Sequence, residues 1–371
     1  MKILFVITGL GFGGAEKQLC LLSDELIKKN NIEITIVSLV KSASEIQPNN
    51  NRIKIYNIGM KKTPFSFIYS LFKLKKIIKK ENPDIIHSHM FHANILSRIC
   101  SILTSIPILI CTAHSSNEGG YFRMKLYKAT EKLATILTNV SQEAVNNFIN
   151  KKASIPQKII LMPNGVNVEA FSFYQNANIE FKKKLDLPNE SKLIVAVGRL
   201  TEAKDYPTLL KALSLIKNQN ARLIIIGDGD RQYKEQLLNL AKSYSIIDKV
   251  YFLGLQNDIP KWMSAADVYV MSSAWEGMPL VIGEAMSCQC CIVATDCGGI
   301  IDLVKDNGFI VPKKDPISLA QKIDSVLLLP EHLKSDIGKH AREHIVNNYS
   351  IESIAKKWLS LYNNLLKKNE K

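Results

Sequence analysis

Short apolar runs of strand length alternate with longer stretches whose apolar residues recur with the helical period. The strand-like runs of the first half cover residues 3–8, 33–40, 53–56, 85–87, 108–113 and 159–162. Those of the second half cover residues 194–197, 223–226, 250–252, 268–271 and 291–294. Strands that alternate with helices build parallel sheets through βαβ units. The pattern therefore predicts an α/β protein with two successive doubly wound domains that face each other.

At 371 residues the chain is longer than one hydrophobic core usually supports, so two domains are expected. A turn cluster, Pro163-Asn164-Gly165-Val166, follows the last strand-like run of the first half and marks the boundary. We expect residues 1–165 to form an N-terminal domain and residues 166–350 a C-terminal domain. The remaining residues, 351–371, contain a terminal helix that we expect to pack back on the N-terminal domain.

The net charge of +14 is concentrated in the first half of the chain. Residues 1–165 carry 22 Lys and Arg against 10 Asp and Glu, whereas the remainder carries 26 against 24. A basic domain of this kind is expected to face an anionic partner, either a nucleic acid or an acidic membrane surface. No recognisable nucleic-acid module accompanies the basic residues, so the sequence argues against nucleic acid.

The cysteines indicate the compartment in which the protein works. There are seven of them, an odd number, and several lie inside apolar runs, which argues for a reducing compartment rather than a disulfide framework. Residues 1–7 resemble a signal peptide but lead into glycines and Glu16 without a cleavage site, so we interpret them as a buried strand. We expect a cytoplasmic protein. The clustered cysteines interpreted as small core residues are Cys288, Cys290, Cys291 and Cys297.

A glycine-rich loop follows the first predicted strand. Gly9, Gly11 and Gly14 match the G-x-G-x-x-G fingerprint of dinucleotide-binding loops. That fingerprint also expects an acidic residue at the end of the second strand, which here ends at Lys41 without one. The sequence therefore argues against a nicotinamide cofactor and predicts a loop that lets a phosphate or a sugar approach the backbone.

Residues 64–80 form a predicted helix in which aromatic residues come first and five lysines follow. Helices of this composition lie on anionic lipid surfaces. The alternative is a crossover helix that packs Ile68, Leu71, Phe72 and Ile78 on the sheet and leaves its lysines solvated. The two interpretations are compatible, because the buried face and the membrane face of a helix can differ.

Histidines follow two of the predicted strands of the N-terminal domain, where open α/β sheets bind their ligands. They are His87, His89 and His92 after one strand and His114 after another. A zinc site would need a further Cys or carboxylate at ligand spacing, which the sequence lacks. His89 and His114 are therefore candidates for acceptor-site hydrogen bonding or acid–base chemistry, and otherwise are structural histidines.

In the C-terminal domain two cations follow the strand at residues 194–197. Arg199 can grip a phosphate with two parallel hydrogen bonds, and Lys204 supplies a point charge beside it, unless the loop is simply solvated. The motif Asp228-Gly229-Asp230 resembles a metal-binding D-x-D, but its position after Gly227 is explained better by a glycine turn.

Glu276 and Glu284 stand on either side of a Gly-Met-Pro break. Proline suits the first helical position, so we expect a helix that starts at Pro279 and carries Glu284 in its second turn. The unbonded amides of Leu280 and Val281 would then form an anion site at the helix N-terminus. The alternative is an ordinary surface loop followed by an amphipathic helix.

These motifs together resemble those of a family 4 glycosyltransferase, in particular the bacterial enzymes that assemble O-antigen and capsular polysaccharide. The resemblance covers essentially the whole chain, and five motifs occur in the family's order and spacing. They are Gly13-Gly14-Ala15-Glu16, Pro163-Asn164-Gly165-Val166, Gly198-Arg199 with Lys204-Asp205, Gly227-Asp228-Gly229, and Glu276-Gly277-Met278-Pro279 with Glu284-Ala285-Met286. The resemblance implies the GT-B fold of two Rossmann-like domains across a cleft.

The resemblance also assigns roles to individual residues. It implies that Arg199 and Lys204 hold the donor diphosphate, and that Glu276 contacts donor sugar hydroxyls with help from the main chain at Gly277, Met278, Pro279 and Leu280. It assigns the ribose hydroxyls to Glu284 and the loop over the phosphate and acceptor to Gly13 and Gly14. His114 matches the family's histidine beside the transferred sugar, and with His89 it is expected to contact the acceptor.

The implied activity is retaining transfer of a hexose or N-acetylhexosamine from a nucleotide sugar, expected to be UDP-linked. The expected acceptor is a polyprenyl-diphosphate-linked or surface-polysaccharide glycan at the inner face of the cytoplasmic membrane, and no metal or other cofactor is expected. The alternatives are a nucleotide-sugar epimerase and a non-catalytic sugar-nucleotide binder. The sequence departs from the family pattern at Asn167, Gln289 and Cys291, where we expect changes in packing rather than in activity.

Overall fold

The computed structural model describes residues 1–42, 45–116 and 118–369. The chain divides into two compact units, each with its own sheet. Unit 1 comprises Met1–Gly165 together with the chain from Ile351 onward, and unit 2 comprises Val166–Ser350. The first border falls within the turn cluster at residues 163–166.

Unit 1 contains a parallel sheet whose seven strands, within the described residues, have the order β3-β2-β1-β4-β5-β6-β7. The strands are β1 (Lys2–Gly9), β2 (Glu33–Val40), β3 (Lys54–Asn57), β4 (Ile85–His89), β5 (Leu109–Ala113), β6 (Ile136–Asn139) and β7 (Ile159–Leu161). The helices are α1 (Gly14–Leu26), α2 (Pro64–Glu81), α3 (Phe91–Leu103), α4 (Tyr121–Ala129), α5 (Gln142–Asn150) and, at the end of the chain, α14 (Ile351–Asn369).

The strand order of unit 1 is that of a doubly wound sheet. Side chains of a strand alternate between its two faces, and in β1 Leu4 and Val6 enter one core while Ile3, Phe5 and Ile7 enter the other. Helices cover both faces, so the central strands β4 and β5 are buried along their whole length. The strand order reverses between β1 and β4, and the crevice that follows such a reversal is where ligands bind in this class of sheet.

Helix α14 completes the core of unit 1. It packs against α1 and buries Trp358 and Tyr362 in the same cluster as Phe5. The Tyr362 hydroxyl lies 2.7 Å from Nδ1 of the buried His87, so a polar contact fixes the helix as well as apolar packing. The terminal helix is thus part of unit 1 although the whole of unit 2 separates it from that unit in the sequence.

Unit 2 contains a second parallel sheet, with the order β10-β9-β8-β11-β12-β13 among the described strands. The strands are β8 (Lys192–Val197), β9 (Ala221–Ile226), β10 (Val250–Gly254), β11 (Val268–Met271), β12 (Ile292–Thr295) and β13 (Phe309–Val311). The helices are α6 (Ala177–Lys184), α7 (Tyr206–Leu215), α8 (Arg231–Ser243), α9 (Ile259–Ser264), α10 (Leu280–Ser287), α11 (Ile300–Val304), α12 (Pro316–Leu327) and α13 (Glu331–Tyr349).

The predicted strands are all present, with ends that differ by up to two residues. Two short strands, β6 and β13, were not predicted. Helix α10 begins at Leu280 rather than at Pro279, which adopts an extended conformation (φ −74°, ψ 113°) as the capping residue. In the described part of the chain, no helix combines the length and apolarity needed to cross a bilayer.

The departures from the family pattern have local explanations. Asn167 Oδ1 accepts a hydrogen bond from the Ala170 N–H at 3.0 Å, so it supplies the oxygen that an aspartate would supply. Gln289 has φ +61°, a conformation that favours glycine, and its carbonyl packs against Gly338 of α13. The Cys291 thiol lies 3.6 Å from the Lys334 carbonyl. All seven cysteines belong to the described part, where they are buried and form no disulfide.

We expect Tyr362→Phe to lower the free energy of unfolding by about 1–3 kcal/mol, because it leaves Nδ1 of the buried His87 without a partner. Thermal and urea denaturation measure the change. Tyr349→Phe is the control, since it removes a hydroxyl whose hydrogen bond to the Asp302 carbonyl is exposed. Equal stability of the Tyr362→Phe protein and the wild type would show that the contact with His87 does not hold α14.

Candidate active site

The loops at the carboxyl ends of β8 and β11 carry most of the candidate donor-binding residues. These two strands are neighbours at the reversal of strand order in unit 2. Gly198 and Arg199 follow β8, and the segment from Ser272 to Glu276 follows β11. Because parallel strands end at the same edge of a sheet, both loops border the crevice in which this class of sheet binds ligands.

Lys204 and Glu276 form an ion pair at this edge. The Lys204 amine lies 2.6 Å from Glu276 Oε1, and each side chain is 17% exposed. The Ser273 hydroxyl donates to the same carboxylate oxygen at 2.9 Å. The structure therefore brings together two residues that the sequence placed 72 positions apart.

Main-chain hydrogen bonds hold the loops that carry this pair. The Ala274 N–H donates to the Ala203 carbonyl at 2.8 Å, and the Ser272 hydroxyl donates to the Lys204 carbonyl at 2.9 Å. Behind them, the Thr295 hydroxyl donates to the Ser273 carbonyl at 2.6 Å. The charged side chains thus stand on backbone whose position is fixed from both sides.

A pair of glycines after β12 supports the Glu276 loop, and the sequence motifs assigned no role to either. Gly298 has φ +60°, and a Cβ atom there would overlap the carbonyl oxygen of Glu276. The Gly299 N–H donates to the Gly277 carbonyl at 2.7 Å. Two adjacent glycines directly after a strand were the signal that could have identified them, since the same arrangement after β1 was interpreted as a ligand loop.

Arg199 is exposed, and its guanidinium makes no hydrogen bond or ion pair with any described residue. The backbone beneath it is closely packed, because the Tyr206 hydroxyl donates to the Gly198 carbonyl at 2.8 Å. A Cβ on Gly198 would come within 2.9 Å of Lys204 Cε, and one on Gly227 (φ +138°) would overlap the Gly198 carbonyl. Gly227 is therefore required by close approach to backbone, whereas a Cβ at Gly198 would meet the flexible end of the Lys204 side chain. Arg199 stands on this closely packed loop with its charge available to a ligand.

Helix α10 carries the second candidate carboxylate. Glu284 lies in its second turn and is 5% exposed, whereas Glu276 lies on the loop before the helix, as predicted. Met278 and Leu280 are buried beside the helix start, and no side chain caps the α10 N-terminus. The first N–H groups of an uncapped helix and its dipole favour an anion, so this end of α10 suits a phosphate.

The two aspartates of the D-x-D motif are occupied by local hydrogen bonds. Asp228 Oδ1 accepts from the Gly229 N–H at 2.9 Å, and Asp230 Oδ1 accepts from the Tyr233 N–H at 3.0 Å as the cap of α8. Turn formation and helix capping explain the motif. Within residues 1–42, 45–116 and 118–369, no group of three His, Cys, Asp or Glu side chains is placed to hold a metal ion.

In unit 1 the glycine loop leads into α1. Gly13 caps the helix and Gly14 is its first residue. A Cβ on Gly13 would overlap the carboxylate of Glu16, which folds back over the first turn of the helix. A negative side chain is favourable at a helix N-terminus. The sequence assigned no role to Glu16, yet its carboxylate lies where the loop was expected to receive a phosphate.

The histidines of β4 form a buried cluster with His114, which follows β5. His87 bonds through Nδ1 to Tyr362 and through Nε2 to the Thr112 hydroxyl, both at 2.7 Å. His89 Nδ1 lies 3.1 Å from His114 Nε2, and His89 is only 1% exposed. His89 is thus buried behind its contact with His114, and its expected contact with the acceptor stays a prediction.

Burial keeps this cluster neutral. It lowers the pKa of His114 to about 4 and lowers the pKa of His87 and of His89 well below the ordinary value for histidine. The backbone N–H of His114 donates to Glu118 Oε1 at 2.8 Å. Burial also raises the pKa of the Glu118 carboxyl above its ordinary value. His114 therefore offers a hydrogen-bonding imidazole near pH 7 rather than a positive charge.

Two family models match the chain in succession: Glycosyltransferase Family 4 over residues 12–170 and Glycosyl transferases group 1 over residues 177–344. The UDP-Gal:alpha-D-GlcNAc-diphosphoundecaprenol alpha-1,3-galactosyltransferase of Escherichia coli is 32% identical to it over 79% of this chain and 78% of the relative. The chain belongs to glycosyltransferase family 4.

Another relative and a solved structure are similar to this glycosyltransferase over nearly its whole length. The GalNAc-alpha-(1->4)-GalNAc-alpha-(1->3)-diNAcBac-PP-undecaprenol alpha-1,4-N-acetyl-D-galactosaminyltransferase of Campylobacter jejuni is 27% identical over 97% of this chain and 98% of the relative. The structure of the sucrose-phosphate synthase of Thermosynechococcus elongatus matches with a TM-score of 0.86 at 20% identity, covering 99% of this chain and 100% of that one. The predicted α/β fold class, GT-B with two Rossmann-like domains, is confirmed. Hexosyl transfer is supported, and the epimerase and the non-catalytic binder are not.

The hydrogen bond between His89 and His114 determines which tautomer the glycosyltransferase uses. One of the two neutral rings must donate, and His89 Nε2 is buried without a partner among the described residues. A buried N–H without an acceptor is rarer than a buried acceptor without a donor. His89 is therefore expected to carry its proton on Nδ1 and to donate to His114 Nε2, which places the His114 proton on Nδ1.

We expect long-range ¹H–¹⁵N spectra at pH 7 to show His114 as the Nδ1–H tautomer. His89→Asn should keep that tautomer, since its amide can donate from the position of Nδ1, and His89→Leu should let the Nε2–H tautomer of His114 appear. The wild-type spectrum decides the assignment: a His114 protonated on Nε2 would reverse the direction of the hydrogen bond.

Proposed function

We propose that this glycosyltransferase moves a hexose or N-acetylhexosamine from a UDP-sugar to a polyprenyl-diphosphate-linked glycan, with retention of anomeric configuration and without a metal. The observation that carries the proposal is the Lys204–Glu276 pair at 2.6 Å, beside the exposed Arg199 and the uncapped start of α10. The support for the donor comes from the Escherichia coli relative, which uses UDP-Gal. The support for the acceptor comes from both relatives, which act on sugars linked to undecaprenol diphosphate.

The reaction breaks the bond between the sugar C1 and the donor diphosphate, and negative charge grows on the leaving phosphate. Arg199, Lys204 and the first amides of α10 stabilise that charge. Preorganised donors of this kind contribute roughly 3–4 kcal/mol each to the stability of a transition state. Without these cationic and amide groups, the charge on the leaving phosphate would require a metal ion. The candidate metal ligands, Asp228 and Asp230, already accept hydrogen bonds from backbone amides.

Glu276 has two successive roles in this proposal. In the empty site its carboxylate neutralises Lys204, so neither half-buried charge lacks a partner. When the donor binds, its phosphate replaces Glu276 as the ion-pair partner of the Lys204 amine. The Glu276 carboxylate then accepts hydrogen bonds from the sugar hydroxyls. Glu284 accepts hydrogen bonds from the ribose hydroxyls in the same way. Both carboxylates hold the donor and neither transfers a proton.

The new bond forms on the face of the sugar from which the phosphate leaves. The acceptor hydroxyl attacks C1, and its proton passes to the departing phosphate oxygen, so no enzyme nucleophile is needed. In unit 1 His114, neutral because burial lowers its pKa to about 4, donates a hydrogen bond from Nδ1 to a sugar hydroxyl. It therefore orients a substrate rather than acting as a base.

One face of α2 supports a peripheral site on the inner face of the cytoplasmic membrane. Phe65, Tyr69 and Phe72 are 86%, 58% and 57% exposed, and Lys76 and Lys79 continue the same helical stripe. An aromatic half followed by a cationic half fits an anionic lipid surface, where each lysine contributes about 1 kcal/mol.

The other face of α2 packs on the sheet, as Leu71, Leu74 and Ile78 are buried. The crossover interpretation was wrong for Ile68 and Phe72, which are 52% and 57% exposed. Packing within unit 1 thus accounts for one side of the helix only. The exposed side is available to the membrane that carries a lipid-linked acceptor.

The function is tested with UDP-hexoses and UDP-N-acetylhexosamines, a short-chain polyprenyl-diphosphate-linked N-acetylglucosamine and EDTA. We expect transfer from one of the donors, and NMR of the product should show the anomeric configuration of that donor. An inverted product would contradict retention, and a rate abolished by EDTA would contradict the metal-free site. Turnover of the donor without acceptor would support an epimerase instead.

We expect Lys204→Ala and Glu276→Ala each to lower kcat by about 100-fold or more, because each removes a group that binds the donor. Lys242→Ala, an exposed lysine on α8, is the matched control and should retain wild-type turnover. Circular dichroism confirms folding. Near wild-type transfer by either donor-site variant would refute the assignment of the site.

We expect the double variant Phe65→Ser/Phe72→Ser to lose co-sedimentation with phosphatidylglycerol vesicles while its transfer to a water-soluble acceptor is unchanged. Lys76→Glu/Lys79→Glu should weaken binding to the same vesicles, and Lys183→Glu/Lys184→Glu, on the exposed surface of α6, should not. Binding that is equally strong on zwitterionic vesicles, or unaffected by the α2 variants, would exclude this face as the membrane site.

A further inference from the structure

Unit 2 contains a pocket of about 530 Å³ at the amino ends of its strands. It lies against α6, α13, the start of β8 and the segments that precede β11 and β12. The donor loops follow the carboxyl ends of the same strands, so the six residues of β8 separate the two regions by roughly 20 Å. The volume falls within the range of about 300–1,000 Å³ that small-molecule sites occupy.

The lining of this pocket, called here the lysine pocket, has an excess of positive charge. Four lysines face two carboxylates. The lysines are Lys182, Lys192, Lys334 and Lys339, and the carboxylates are Asp267 and Glu331. The excess is unexpected in unit 2, because residues 166–371 are close to neutral with 26 basic and 24 acidic side chains.

The two carboxylates are already engaged. Asp267 accepts from the Lys192 amine at 3.1 Å and from the backbone N–H of Leu193 at 2.8 Å. Glu331 pairs with Lys334 at 2.7 Å. Each carboxylate also lies within ion-pair distance of the other lysine, Lys192 at 3.7 Å from Glu331 and Lys334 at 3.9 Å from Asp267. Lys339 has a counter-ion on its own helix, Asp336 at 3.9 Å.

Lys182 is the residue that lacks a counter-ion. Its side chain is buried, at 7% exposure of the residue, and its amine donates to the main-chain carbonyl of Asn189 at 2.9 Å. No carboxylate of the described chain lies within ion-pair distance of that amine. Burying a charge is costly unless an opposite charge accompanies it, and burial accordingly lowers the pKa of Lys182.

We propose that the lysine pocket binds the phosphate group of a small molecule, with Lys182 as its principal cation. Lysine amines bind phosphate as point charges, and a phosphate beside Lys182 supplies the counter-ion that the protein does not. Phe173 and Met263 form an apolar part of the lining, which suits the remainder of such a ligand. The proposal does not depend on the donor site, since it involves the opposite edge of the sheet.

Lys182→Met tests the proposal, because methionine keeps the buried stem and removes the charge. Lys183→Met is the matched control, one position along α6 and exposed. With inorganic phosphate as the probe in isothermal titration, Lys182→Met should weaken binding by about tenfold or more and Lys183→Met should leave it unchanged. Without phosphate, Lys182→Met should melt at the same temperature as the wild type or higher.

Lys204→Met separates this site from the donor site, which also binds phosphate in the function proposed above. If the lysine pocket binds phosphate, Lys204→Met should still bind one phosphate per chain. Binding that disappears in Lys204→Met and persists in Lys182→Met would overturn the proposal. So would equal binding by the wild type, Lys182→Met and Lys183→Met, or no binding by the wild type.

Discussion

The ion pair between Lys204 and Glu276 is the interaction around which unit 2 is arranged. Each charge is half-buried, so each needs the other until a ligand arrives. The two loops follow neighbouring strands, and hydrogen bonds to backbone hold both of them. The sheet therefore determines where the two side chains lie. In the function proposed here, a donor phosphate meets a lysine whose position is already set, and the carboxylate of Glu276 becomes available to the sugar.

That arrangement depends on glycines more than on the charged residues themselves. A Cβ at Gly227 or Gly298 would overlap the backbone of the loops that carry Arg199 and Glu276, and a Cβ at Gly198 would crowd the side chain of Lys204. The backbone approaches closely because these positions lack side chains. The site thus consists of closely packed loops that carry a few charged side chains. A phosphate can approach the main-chain amides of these loops as well as the side chains.

Much of the fold follows from the sequence, because apolar runs alternate with helical periods and the central strands, such as β4 and β5, are buried along their whole length. The strands β6 and β13 were missed, although strands of the same length, β7 and β11, were predicted. The site was predicted less completely. Arg199, Lys204, Glu276 and Glu284 stand in motifs, but the burial of His89 and the support from Gly298 arise from packing between distant segments, which no local pattern records.

The two units handle charge in opposite ways, and this difference bears on the chemistry of each. In unit 1 burial keeps His87, His89 and His114 neutral, so polar groups there can orient hydroxyls without attracting phosphate. In unit 2 one lysine and one arginine stand at a sheet edge, and a carboxylate pairs with the lysine. A neutral donor of hydrogen bonds suits a sugar, and a cation suits a leaving diphosphate. The physical chemistry of the two sets of residues thus matches the two halves of a glycosyl transfer.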